Sequence, residues 1–162
     1  MSLVVPFDGS TLSKAALVRA AQFEQVLGEE VLVVSVIPKN NAQYARERGW
    51  IGETEPYDPE SIVTHLRTEV SKLAPTASFR YLTVGRHAPR GTIAGRVRRF
   101  ARENDATILF IGSENAGRIV SSITVGQSVA SDRSYDSFIV TSEMLPEIKK
   151  LEEAVPADEL LS

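Results

Sequence analysis

Three polar turns in this sequence carry residue types that bind anions. They are "FDGS" (Phe7–Ser10), "VGRHAPRG" (Val84–Gly91) and "IGSENAG" (Ile111–Gly117), the last followed by "VGQS" (Val125–Ser128). Glycine lets a backbone adopt positive φ and come close to a ligand. The free N–H groups at a following helix start carry partial positive charge, which suits phosphate. Ser113 and Ser128 add hydroxyl donors. Arg86 and Arg90 add planar forks of donors that match phosphate oxygens. Two readings stay open for the Gly112 loop, a phosphate cradle or a plain connector. Asp8 likewise either contacts a ligand or closes an Asx turn and caps a helix.

Catalytic chemistry finds no comparable set. The chain has no cysteine, which excludes thiolate metal sites, disulfides and cysteine nucleophiles. It has no G-x-x-x-x-G-K-[ST] loop, and "DGST" lacks the G-x-S-x-G elbow. His65 and His87 have no second ligand at helical or hairpin spacing, so no metal site is expected. No catalytic residue is assigned. The expectation is a binding module, with weak nucleotide hydrolysis as the most it would support.

The elements that must position these turns alternate along the chain. Leu3–Phe7, Glu30–Ile37, Ser78–Val84, Ala106–Gly112 and Ser137–Glu143 are apolar runs of the kind found in strands buried on both faces. Between the first two, Ala16, Leu17, Ala20, Phe23 and Leu27 recur at helical steps, with Ser10 or Thr11 as N-cap and Gly28 as C-cap. Residues 40–59 hold Pro56, Pro59, Gly49, Gly52, Tyr44, Trp50 and Tyr57, and read as a long excursion around a short helix, Tyr44–Arg48. Asp58 or Pro59 opens a helix with Ile62, Val63, Leu66, Val70 and Leu73 on one face. A further helix spans Thr92–Asn104, with Arg96, Arg98 and Arg99 on its solvent face and Glu103 as a partner. Another covers the segment from Arg118 to Arg133, interrupted by Gly126. This order predicts a doubly wound α/β domain with a mostly parallel five-stranded sheet. Ligands of such sheets bind beyond the carboxyl ends of the strands, where strand order reverses.

The bulk numbers agree with one such domain. At 162 residues the chain suits a single core, assigned here to residues 1–144, with a charged amphiphilic tail over 145–162. The tail is expected to form a helix from Pro146, with Ile148, Leu151 and Val155 on one face. The net charge of −3 argues against a nucleic-acid partner. No apolar run reaches the length of a membrane span, and "MSLVVPFDGS" lacks the features of a signal peptide. A cytoplasmic protein without a membrane partner is expected.

The "DGS" closing the first strand, the helix after it and the glycine loop after the fourth strand resemble the universal stress protein family over about residues 2–142. The resemblance implies an adenine-nucleotide α-hydrolase-like sheet in the order 3-2-1-4-5. It also implies a site for ATP or another adenine nucleotide, with any magnesium arriving on the phosphates. Carried over by position, that site comprises Pro6, Phe7, Asp8 and Val36 near the nucleoside. The phosphate loop would hold Ile111, Gly112, Ser113, Asn115, Gly117, Gly126, Gln127 and Ser128. The family's loop reads Gly, two residues, Gly, nine residues, Gly, then Ser or Thr. Here Gly112 and Gly126 align with its first and last glycines, but Asn115 replaces the second and Gly117 comes two positions late. The stretch to Gly126 is one residue longer, and Gln127 takes the hydroxyl position ahead of Ser128. These departures keep a second reading open, an interaction protein of the same fold with a degenerate phosphate loop. The family also implies a homodimer through the last strand, Ser137–Glu143, whose place at the sheet edge leaves backbone groups unpaired.

Overall fold

The structure, a computed structural model, describes residues 1–113 and 135–142. Strand β1 (Ser2–Pro6) leads into helix α1 (Thr11–Leu27), β2 (Glu30–Pro38), a short α2 (Ala42–Glu47) and α3 (Pro59–Leu73). Then follow β3 (Ser78–Val84), α4 (Arg90–Glu103), β4 (Ala106–Gly112) and β5 (Asp136–Val140). All four strand pairings are parallel, and the sheet order is β3-β2-β1-β4-β5. The chain therefore reverses its direction of travel across the sheet between β1 and β4. No helix among the described residues is long and apolar enough to cross a membrane.

Local chemistry explains where the elements start and stop. Ser10 Oγ accepts the Ser13 N–H at 3.2 Å, and Gly28 closes α1 in the left-handed region at φ 67°. Such caps are worth about 1 kcal/mol each. Asp58 caps α3 through Glu60 N–H at 3.2 Å, with Pro59 in the first turn, where a missing N–H costs nothing. Helix α4 starts two residues earlier than the sequence predicts, because Pro89 in extended conformation serves as its N-cap. Arg90, expected on a loop, is thus the first helical residue. Strand β5 is shorter than Ser137–Glu143. Its partner β4 ends at Gly112, paired with Val140, and among the described residues the ladder goes no further. Glu143, the tail and the expected helix over 118–133 lie outside the described residues.

Alternation along the strands builds two cores. On one face Leu3, Val5, Phe7, Val31, Val33 and Phe110 pack under α1 and α3. An aromatic trio locks α1 to the β4–β5 edge: Phe23, Phe110 and Phe138 have ring centroids 5.2–5.4 Å apart. On the other face Val4, Leu32, Val34, Val36, Leu109 and Ile111 pack against Ala94, Val97, Phe100 and Ala101 of α4. The 40–59 excursion joins the first core. Ala45, Trp50 and Ile51 are buried within it.

Candidate functional site

A cavity of about 270 Å³ opens at the carboxyl ends of β1 and β2. Pro6, Phe7 and Asp8 come to it from the end of β1, and Val34 and Val36 from β2. Tyr44, Glu47 and Arg48 come from α2 and its C-cap, Ala88 from the link before α4, and Arg90, Ile93, Ala94 and Val97 from α4 itself. Its wall is apolar along the valines and Ile93, with Asp8, Glu47, Arg48 and Arg90 as charged groups. That volume lies just under the roughly 300–1,000 Å³ of drug-sized pockets, so it suits a small ligand.

Strand β1 is built to part from β4 at this point. Phe7 N–H bonds to Val34 O of β2 at 2.8 Å. By strand alternation the Pro6 nitrogen faces β4, and proline has no hydrogen to give. The β1–β4 register accordingly ends at Val4 with Leu109, while β1 stays paired to β2 as far as Pro6 with Val34. Ser35, fully buried, donates its hydroxyl to Phe7 O at 2.6 Å and holds the end of β1 to β2.

The turn after β1 is set by three adjacent residues. Asp8 Oδ1 accepts the Ser10 N–H at 2.9 Å, an Asx turn. Gly9 sits at φ 81°, a conformation other residues adopt at a cost. The indole N–H of Trp50, itself only 4% exposed, donates to Asp8 O at 2.8 Å. This last bond spans 42 residues and pins the excursion to the turn. Asn41 fastens the same excursion from its other end. Its Oδ1 accepts Tyr44 N–H at 3.0 Å and caps α2, while its amide donates to Arg86 O at 2.8 Å. Two connections far apart in sequence are thereby fixed as walls of one cavity.

Electrostatically the cavity favours an anion on the α4 side. The first turn of α4 has no side-chain cap hydrogen bond, so its N–H groups keep their partial positive charge beside Arg90. The Arg48 guanidinium lies over the Tyr44 ring, 3.4 Å from its centroid. Among the described residues no group of three or more His, Asp or Glu side chains could hold a metal ion.

Of the residues read from the sequence, Pro6, Phe7, Asp8, Val36 and Arg90 line this cavity together. Arg86 does not line it and is exposed, meeting the site only through the backbone bond to Asn41. Ile111 is a core residue, 1% exposed, in the cluster that packs against α4. Gly112 is not among the lining residues and does not adopt positive φ. A Cβ there would stand 2.9 Å from Leu12 Cβ and 3.0 Å from its carbonyl carbon. The glycine is required by the approach of α1 rather than by a turn. Ser113 is half-buried immediately after β4. Asn115, Gly117, Gly126, Gln127 and Ser128 lie outside the described residues. Sequence reasoning missed Tyr44, Glu47 and Arg48. A signal existed in "QYARERGW", where Tyr44 and Arg48 are spaced to share one helix face.

The family model described as the universal stress protein family matches residues 1–131. Among solved structures, a universal stress protein in complex with cAMP aligns at 22% identity and a TM-score of 0.50, over 87% of this chain and 97% of that one. A universal stress protein family member from Burkholderia pseudomallei aligns at 19% identity and a TM-score of 0.50, over 86% and 95%. A universal stress protein from Archaeoglobus fulgidus in complex with dAMP aligns at 19% identity and a TM-score of 0.48, over 87% and 98%. No curated protein matches the chain.

Proposed function

The chain belongs to the universal stress protein family, and from that premise we propose that it is a binding module for an adenine nucleotide. The observation that carries the reading is the convergence of Asp8, Arg90 and the apolar residues Val34, Val36 and Val97 on one cavity, beside the point where β1 and β4 part. The apolar wall suits the base. The start of α4, which has no side-chain cap hydrogen bond, suits the phosphate together with Arg90, and Asp8 suits the ribose hydroxyls. A protein of this fold has been solved in complex with cAMP, which makes a mononucleotide the first ligand to try. Ser113, Gly126 and Ser128 are proposed to complete the phosphate side, and magnesium would accompany a triphosphate on the ligand's own oxygens. The module works in the cytoplasm as a homodimer joined through β5, an edge strand on which Ile139 is 43% exposed.

Calorimetric titration with ATP, ADP, AMP and cAMP tests the reading, and binding of at least one is expected. Absence of heat with all four at millimolar concentration would leave the second reading, an interaction protein of the same fold. Asn115 and Gln127 at the motif's glycine and hydroxyl positions favour that alternative. Sedimentation at micromolar concentration tests the dimer, for which a monomer mass is the contrary result.

A further inference from the structure

Helix α4 holds five arginines, Arg90, Arg96, Arg98, Arg99 and Arg102, and one acid, Glu103. Ala94, Val97, Phe100 and Ala101 turn to the sheet, and Arg99 and Arg102 are exposed on the other side. Arg99 pairs with Glu103, but the bridge is open to water, its side chains 69% and 61% exposed. Arg96 Nη1 donates to Thr83 O at 3.3 Å and ties α4 to the edge strand β3. By strand alternation Arg80 shares the face of Leu82 and Val84, so its exposed side chain extends the same surface. Arginines one helical turn apart repel, and an anionic cover relieves the repulsion.

The sequence holds such a cover. Residues 143–162 carry six acids and two lysines, a net of −4 in a chain of net −3, which leaves +1 for residues 1–142. No base follows Lys150, whereas Glu152, Glu153, Asp158 and Glu159 all do. The reach is sufficient. Four interstrand steps separate β5 from β3, about 19 Å in all. The chain from Ser142 to Glu152 extends to about 33 Å, and α4 packs on β2, β3 and β4 between those edges.

We propose that residues 151–162 dock on the arginine face of α4 in the same chain. The carboxylates of Glu152, Glu153, Asp158 and Glu159 meet Arg80, Arg99 and Arg102. Each exposed pair is weak alone, and covalent linkage supplies the local concentration that holds them together. The docking therefore depends on ionic strength, and it covers the basic surface against other anionic partners. It is independent of the nucleotide reading, because Ile93, Ala94 and Val97 line the cavity from the inner side of the helix.

The chain has no cysteine, so Ala157→Cys gives one attachment point for a nitroxide in the full chain. At about 0.01 M salt the amide signals of Arg80 and of residues 96–103 should lose at least about half their intensity, and they should regain it at about 1 M, where the screening length is about 3 Å. Arg99→Glu with Arg102→Glu should abolish the loss, and adding Glu152→Arg with Glu153→Arg should restore it. Full intensity along α4 at low salt overturns the proposal, as does broadening that survives 1 M salt or gathers on another surface. Failure of the fourfold variant to restore the loss overturns the charge pairing. Broadening between a nitroxide-bearing copy and a separate isotope-labelled copy gives the segment to the partner and overturns docking within one chain. The salt comparison needs no change in α4, so it decides the matter even where the double substitution unfolds the protein.

Discussion

The two faces of the sheet treat the same strand ends differently. Under α1 the packing runs to the very end of β4, so closely that Leu12 leaves no room for a Cβ on Gly112. On this side Trp50 also folds back over the β1 turn. Under α4 the packing is less complete at the strand ends, where Val34, Val36, Ile93 and Val97 belong to or pack on that core and also line a cavity. One face therefore carries the stability of the strand ends and the other carries the candidate site. Substitutions on the first should move unfolding without needing a ligand, and substitutions on the second should move binding with little effect on unfolding.

The largest effect is expected at the centre of the filled face. Phe110 is fully buried and joins Phe23 and Phe138 in the aromatic trio, so Phe110→Ala should cost about 3–5 kcal/mol. Chemical denaturation measures it, and a loss below about 1 kcal/mol would mean the trio does not hold α1 to the edge of the sheet. Gly112→Ala comes next, at about 1–3 kcal/mol, because the new methyl meets the backbone and Cβ of Leu12. An unchanged urea midpoint with a selective loss of nucleotide affinity would break the comparison, returning this glycine to the ligand.

Trp50→Phe sits between the two regions. It keeps most of the buried ring but removes the donor to Asp8 O, at a cost of about 1 kcal/mol. Since the same bond anchors the wall that carries Tyr44 and Arg48, nucleotide affinity should fall as well. A stability loss with affinity intact would show that the excursion holds its place without this tie. Ala88→Leu is the smallest change in stability, within about 0.5 kcal/mol, because its half-buried side chain borders open space. It should nonetheless reduce nucleotide binding strongly by filling the cavity, as read by titration calorimetry. Full affinity in this variant would place the ligand elsewhere.

Much of this molecule was legible in the amino-acid order alone. β3 and β4 have the bounds their apolar runs predict, and α1 is capped by Ser10 and Gly28 as their side-chain chemistry demands. The parallel order with β5 at an edge follows from the alternation of elements and the family resemblance. Local signals suffice there because caps, periodicity and strand burial are properties of neighbours in sequence. Even Arg99 and Glu103 pair at 2.7 Å, as one turn of helix dictates.

What only the tertiary structure decided lies in contacts between residues far apart in the chain. The sequence marks 40–59 as an excursion, but no periodicity says that Trp50 will reach Asp8, or that Asn41 will tie α2 to the backbone of Arg86. It marks Gly112 as special without saying whether a ligand or a helix needs the space, and the answer on the described residues is Leu12 of α1. It points to the strand ends as the place for a site, while the face that carries the cavity depends on how closely α1 and α4 approach the sheet. Helix placement is a matter of volumes filled across elements, and a one-dimensional pattern records which residues are buried but not against what.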